Sequence, residues 1–115
     1  MNGEIVLEKL NSAQLGALQT AEGENVEQVS VGSLSKGTIV RVKTKSYNFY
    51  LFEITEPTYF TARVVRCEAR QGICLDSYRG ERLVSPKFRI GECVWHDHSR
   101  TSPIVEIAIL KVRGG

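Results

Sequence analysis

Five side chains in the second half of the chain belong to the types that bind metals or attack electrophiles: Cys67, Cys74, Cys93, His96 and His98. Zinc takes four thiolate or imidazole ligands in a tetrahedron, with paired ligands in structural sites about two to four residues apart. Here six residues separate Cys67 from Cys74, and on a regular strand Cys93 and His96 point to opposite faces. The spacing therefore assigns no metal, and nothing else in the chain calls for a cofactor. Catalysis would have to start from Cys93 as nucleophile, with His96-Asp97-His98 supplying the base and its orienting group. Neither a nucleophile elbow nor a phosphate loop accompanies these residues. The chain reads as a non-enzyme with buried thiols and surface histidines near a turn.

A second group could bind rather than react: Arg41, Lys43, Lys45, Asn48, Tyr50 and Phe52. Barrels that hold single-stranded nucleic acid stack bases on aromatic rings and track phosphates with cations, and Arg63, Arg66 and Arg70 would add charge from a neighbouring strand. Against this stands a net charge of only +2, since phosphate-binding domains are usually more basic. Arg and Lys also cover apolar neighbours with their stems while solubilising a sheet.

The element that must position this group is the stretch Thr38 to Glu53, which alternates apolar and polar residues on both sides of a polar break and predicts a β-hairpin. With Lys45-Ser46 as the turn, Val40 faces Leu51 and Val42 faces Phe49. One face then carries Val40, Val42, Thr44, Tyr47, Phe49 and Leu51, and the other carries Ile39, Arg41, Lys43, Asn48, Tyr50 and Phe52. Lys-Ser is a poor two-residue hairpin turn, and a register step of one residue would exchange the faces. On this reading Ile39, Tyr50 and Phe52 lie exposed and need cover. A protein partner or a second copy of the chain would supply it, by sheet stacking or edge pairing. Nucleic acid is the alternative partner.

Around the hairpin, 115 residues make room for one domain. Residues 1–36 read as a segment packed on the rest, 37–112 as the β-domain and 113–115 as a tail. Ile5-Val6-Leu7 is a short apolar run. Ser12 could cap a helix through Leu15 and Leu18 that Gly16 weakens and Gly23 ends, and Asn25 to Val31 is strand-like. Further strands are expected at Tyr59 to Glu68, Ile73 to Asp76, Phe88 to His96 with a bulge at Gly91, and Ile104 to Val112. Arg70-Gln71-Gly72 forms a turn, Ser77 to Pro86 an exposed loop, and His98 to Pro103 a turn. Six or seven short strands and at most one helix predict an all-β, partly open antiparallel barrel. No run of apolar residues spans a bilayer, so no membrane role is expected. The missing export signal and an odd cysteine count of three point to reduced thiols and a cytoplasmic setting.

Two resemblances add to this. Leu110-Lys111-Val112-Arg113-Gly114-Gly115 resembles the tail of ubiquitin-like modifiers and sulfur carriers, whose terminal Gly-Gly is activated as an acyl adenylate, but no central helix of that family follows the second strand here. Over residues 35–110, the strand led by Gly37-Thr38, the Tyr-containing return strand, the segment from Gly91 and Thr101-Ser102-Pro103-Ile104 resemble small bacterial proteins with a compact β-barrel. That resemblance implies the fold and no activity.

Overall fold

The computed structural model describes residues 7–46, 48–68 and 73–110, and of residues 8, 12, 68 and 73–79 the backbone alone. In chain order its strands are β1 (Gly23–Val26), β2 (Gln28–Ser30), β3 (Ile39–Thr44), β4 (Asn48–Glu56), β5 (Thr61–Glu68), β6 (Ile73–Leu83), β7 (Lys87–Arg89), β8 (Trp95–His96), β9 (Ser99–Arg100) and β10 (Ile104–Leu110). Six of them form one antiparallel sheet in the order β1-β10-β3-β4-β5-β6. β1 and β6 are left at its two edges, so the sheet is open and only barrel-like. β2 pairs with β7, and β8 with β9, in two small ribbons. The fold is all-β with one short helix, α1 (Ser12–Thr20).

The helix starts one residue earlier than expected. Asn11 is the cap: its side chain accepts the Gln14 N–H at 2.8 Å, and Gln14 Oε1 accepts the Asn11 N–H at 2.9 Å. This reciprocal pair satisfies two backbone donors that a helix end leaves over. Gly23 serves the sheet instead of ending the helix. A Cβ there would lie 2.8 Å from the Ile109 carbonyl oxygen, so only glycine lets β1 close on β10. Gly16 has no such duty, because nothing stands within 4 Å of the position its Cβ would take. Gly16→Ala is expected to raise stability by about 0.5–1 kcal/mol, read as a higher urea midpoint at unchanged slope; a lower midpoint contradicts it.

The hairpin forms, with a register one residue away from the predicted one. Val40 pairs with Phe52, Val42 with Tyr50 and Lys43 with Phe49. β3 ends at Thr44 and β4 starts at Asn48; Tyr47, between them, lies outside the described residues. Here Thr44 Oγ1 donates to the Asn48 carbonyl at 3.3 Å, and the Lys45 N–H donates to the Pro103 carbonyl at 3.0 Å. The step moves every side chain of the return strand to the other face.

Both faces of the sheet are covered from within the chain. On one, Val40, Val42, Tyr50, Phe52, Ile54, Ala62, Val64, Ile104 and Ile107 meet Val31, Val84, Phe88 and Val94 from the segments laid across them. On the other, Ile39, Leu51, Val65, Cys67, Ala108 and Leu110 meet Leu7, Leu15 and Leu18. β10, apolar on both sides, thus finds cover on both. Residues 23–26, expected within the N-terminal segment, form the strand at one sheet edge.

One expected loop and one expected strand differ in the structure. Ser77 to Leu83 continues β6 instead of looping out, because Gly80, at φ 75°, sits where the register with β5 steps between Ala62 and Val64. Phe88 to His96 is not one bulged strand: Gly91, at φ 94°, turns the chain between β7 and β8. Residues 70–72 and 111–115, with the expected turn and the Gly-Gly tail, lie outside the described residues.

Candidate interaction surface

The register step takes apart the basic and aromatic group. Tyr50 and Phe52 are buried and stacked on each other at 6.1 Å between ring centroids. They share a face with Asn48, whereas Arg41 and Lys43 share the helix-covered face with Phe49 and Leu51. Arg41 Nη1 donates to the carbonyls of Leu18 at 3.2 Å and Ala21 at 2.7 Å. Its cation thus closes the C-terminal end of α1, where carbonyl oxygens lack helical partners. Lys43 Nζ lies 5.6 Å from the Phe49 ring centroid, and Lys45 is exposed in the loop. Arg63 is tied to Glu53 at 2.9 Å, Arg66 is half-buried, and Arg70 lies outside the described residues. Among the described residues these side chains do not share one continuous face.

The thiols and histidines also separate. Cys67 is disulfide-bonded and stands opposite Cys74 in the β5–β6 register, while Cys93 is free. This revises the expectation of reduced thiols for Cys67. His98 is exposed as expected, but His96 is 1% exposed and belongs to the interior. Among the described residues no group of three His, Cys, Asp or Glu could hold a metal ion.

What the fold does assemble lies around His96. The Asp97 N–H donates to the Leu83 carbonyl at 2.8 Å, and the Ser85 N–H to the Trp95 carbonyl at 3.0 Å. In return Asp97 Oδ1 accepts the Leu83 N–H at 3.0 Å, and Ser85 Oγ accepts the Trp95 N–H at 2.8 Å. With β9 on its far side, this makes a three-stranded ribbon of residues 83–85, 95–97 and 99–100. Alternation then sorts its side chains. Val84 and His96, bridged to each other, turn inward. Leu83 and Trp95 turn outward, 61% and 51% exposed, as diagonal neighbours within reach of long side chains.

Charges brace the ribbon. The Arg100 guanidinium lies 5.4 Å from the Trp95 ring centroid, and Arg82 reaches the His96 carbonyl at 3.2 Å and the Asp97 carboxylate at 3.4 Å. Thr101 holds the base of the ribbon, its Oγ1 accepting the Val94 N–H at 2.9 Å. Tyr59, 69% exposed, lies two residues before Thr61, the β5 partner of Leu83. Trp, Tyr and Arg are the side chains that most often anchor protein interfaces. The sequence contains one tryptophan, a signal available from the start, but its outward direction follows only once His96 is known to point inward.

Among the described residues no helix is long and apolar enough to cross a membrane. Comparison with protein-family models, with curated proteins and with solved structures finds no match.

Proposed function

We propose that this chain is a non-enzymatic interaction module that associates with a second copy of itself through the ribbon carrying Leu83, Trp95 and Arg100. One observation carries the reading: both sheet faces are closed by the chain's own segments, while among the described residues the large exposed hydrophobics Leu83 and Trp95 share the outer face of this ribbon, and Tyr59, also exposed, lies next to Phe60, whose carbonyl accepts the Val84 N–H. A second copy is favoured as occupant because β9, paired among the described residues only with β8, forms the ribbon's open outer edge, and open edges pair readily with other strands. Its exposed charges are of both signs, Arg100 beside Asp97, which suits a surface meeting itself about a two-fold axis.

Sedimentation of a dilution series, with tryptophan emission recorded on the same samples, tests this. The expected result is a salt-insensitive dimer whose emission shifts to the red on dissociation, and a Trp95→Ser variant weakened about thirtyfold or more, as for an interface hot spot. A monomer at every concentration overturns the reading. So does protein that carries nucleic acid at low salt and sheds it at high salt.

A further inference from the structure

We propose that His96 makes this ribbon proton-sensitive: the neutral imidazole seats residues 95–101 on the sheet, and protonation unseats them. The imidazole is enclosed, its ring centroid 5.9 Å from that of Tyr50 on β4 and its residue bridged to Val84. The charged groups around it, among the described residues, are Arg82 from β6, Arg66 from β5 and Asp97 from the adjoining turn. Two guanidiniums flank the imidazole, and the Asp97 carboxylate is engaged by the Leu83 N–H and by Arg82. A proton on His96 therefore places a third positive charge in an enclosed site. Exposing the ring relieves the cost.

The ribbon is the part free to give way. Tyr50 belongs to a central strand paired on both sides, whereas β8 and β9 have two residues each. Short, peripheral elements open before the core does. Because Trp95 is the chain neighbour of His96 and Arg100 lies against its ring, unseating His96 dismantles the outward surface. The unseating is a property of the chain alone; its effect on association rests on the reading proposed above.

The sign follows from burial. Burial first, then Arg82, with Arg66 adding and Asp97 opposing, holds His96 below its ordinary value of 6.5. The unfolded or unseated chain then binds the proton more readily. The stabilisation is complete above pH 6.5, is lost as the pH falls from there to the lowered folded value, and changes no further below it.

Amide hydrogen exchange between pH 8 and pH 5, corrected for intrinsic rates, reads this directly. The Ser85, Asp97 and Thr101 amides, which donate to Trp95, Leu83 and Val94, are expected to lose protection by up to about tenfold per pH unit in that window. Amides of β3 and β4 keep theirs, His96→Gln abolishes the loss, and His98→Gln preserves it. No loss, an equal loss in His96→Gln, or a uniform loss that includes β3 and β4 overturns the proposal. Should His96→Gln fail to fold, the imidazole signals of the wild-type chain decide. The midpoint of His96 must coincide with the amide loss, and coincidence with His98 instead overturns it. A monomer in sedimentation at pH 8 would sink the association reading and leave this result standing.

Discussion

Replacing Glu53 by alanine is expected to cost the fold about 2–4 kcal/mol, between the loss of a buried hydrogen bond and that of a fully buried ion pair. Glu53 is 2% exposed in the middle of β4. Its two oxygens are divided between elements: Oε1 accepts the Leu7 N–H at 2.8 Å, and Oε2 takes Arg63 Nη1 at 2.9 Å. A carboxylate placed among apolar side chains persists only with such partners. Its removal takes this acceptor from the Leu7 N–H and the Oε2 contact from Arg63. Leu7 is also the first described residue of the layer that covers this face, ahead of Leu15 and Leu18. The loss should therefore appear first as faster exchange of the α1 amides, and then as a lower urea midpoint. Glu53→Gln retains an acceptor for Leu7 and should lose less. An alanine variant as stable as the wild type, with α1 still protected, would show that the N-terminal layer holds on apolar contact alone.

Phe52→Ala is expected to cost about 3–5 kcal/mol, through lost burial and the cavity it leaves. Phe52 is fully buried, with its ring centroid 4.9 Å from that of Phe88. It joins the sheet to the β2–β7 ribbon that closes one face. This outcome separates two views of the hairpin. Were Phe52 on an outer face, its truncation would change association and leave the denaturation midpoint nearly unmoved. The structure makes the opposite demand: the midpoint falls, and oligomer mass changes only as far as unfolding changes it. Phe52→Leu, which keeps most of the volume, should recover much of the loss.

The hairpin shows how much the sequence could say. Alternation from Thr38 to Glu53 was sufficient to identify two strands and a turn, because a period of two is a local property of the chain. Parity was not sufficient. Apolar residues occur on both faces of the return strand, with Phe49 and Leu51 on one and Tyr50 and Phe52 on the other, so both registers offer an apolar surface. The observed pairing of Val40 with Phe52 settles which one forms. That register put Tyr50 and Phe52 beneath Phe88 and Val94 and left Arg41 to close the end of α1.

The same limit applies at the candidate surface. Trp95, His96 and Arg100 were visible as residue types, and a turn was expected beside them. Which of Trp95 and His96 faces water depends on the bridge between Val84 and His96 and on the bonds from Leu83 and Ser85 to Asp97 and Trp95. Those partners lie ten or more residues away, beyond any local pattern. The sequence by itself determined an all-β chain with at most one short helix, since propensity, alternation and turn residues act over a few neighbours. The tertiary structure alone decided which apolar residues form the core, which stay in solvent, and that a histidine lies buried under the exposed tryptophan, because these depend on register and on contacts between distant segments.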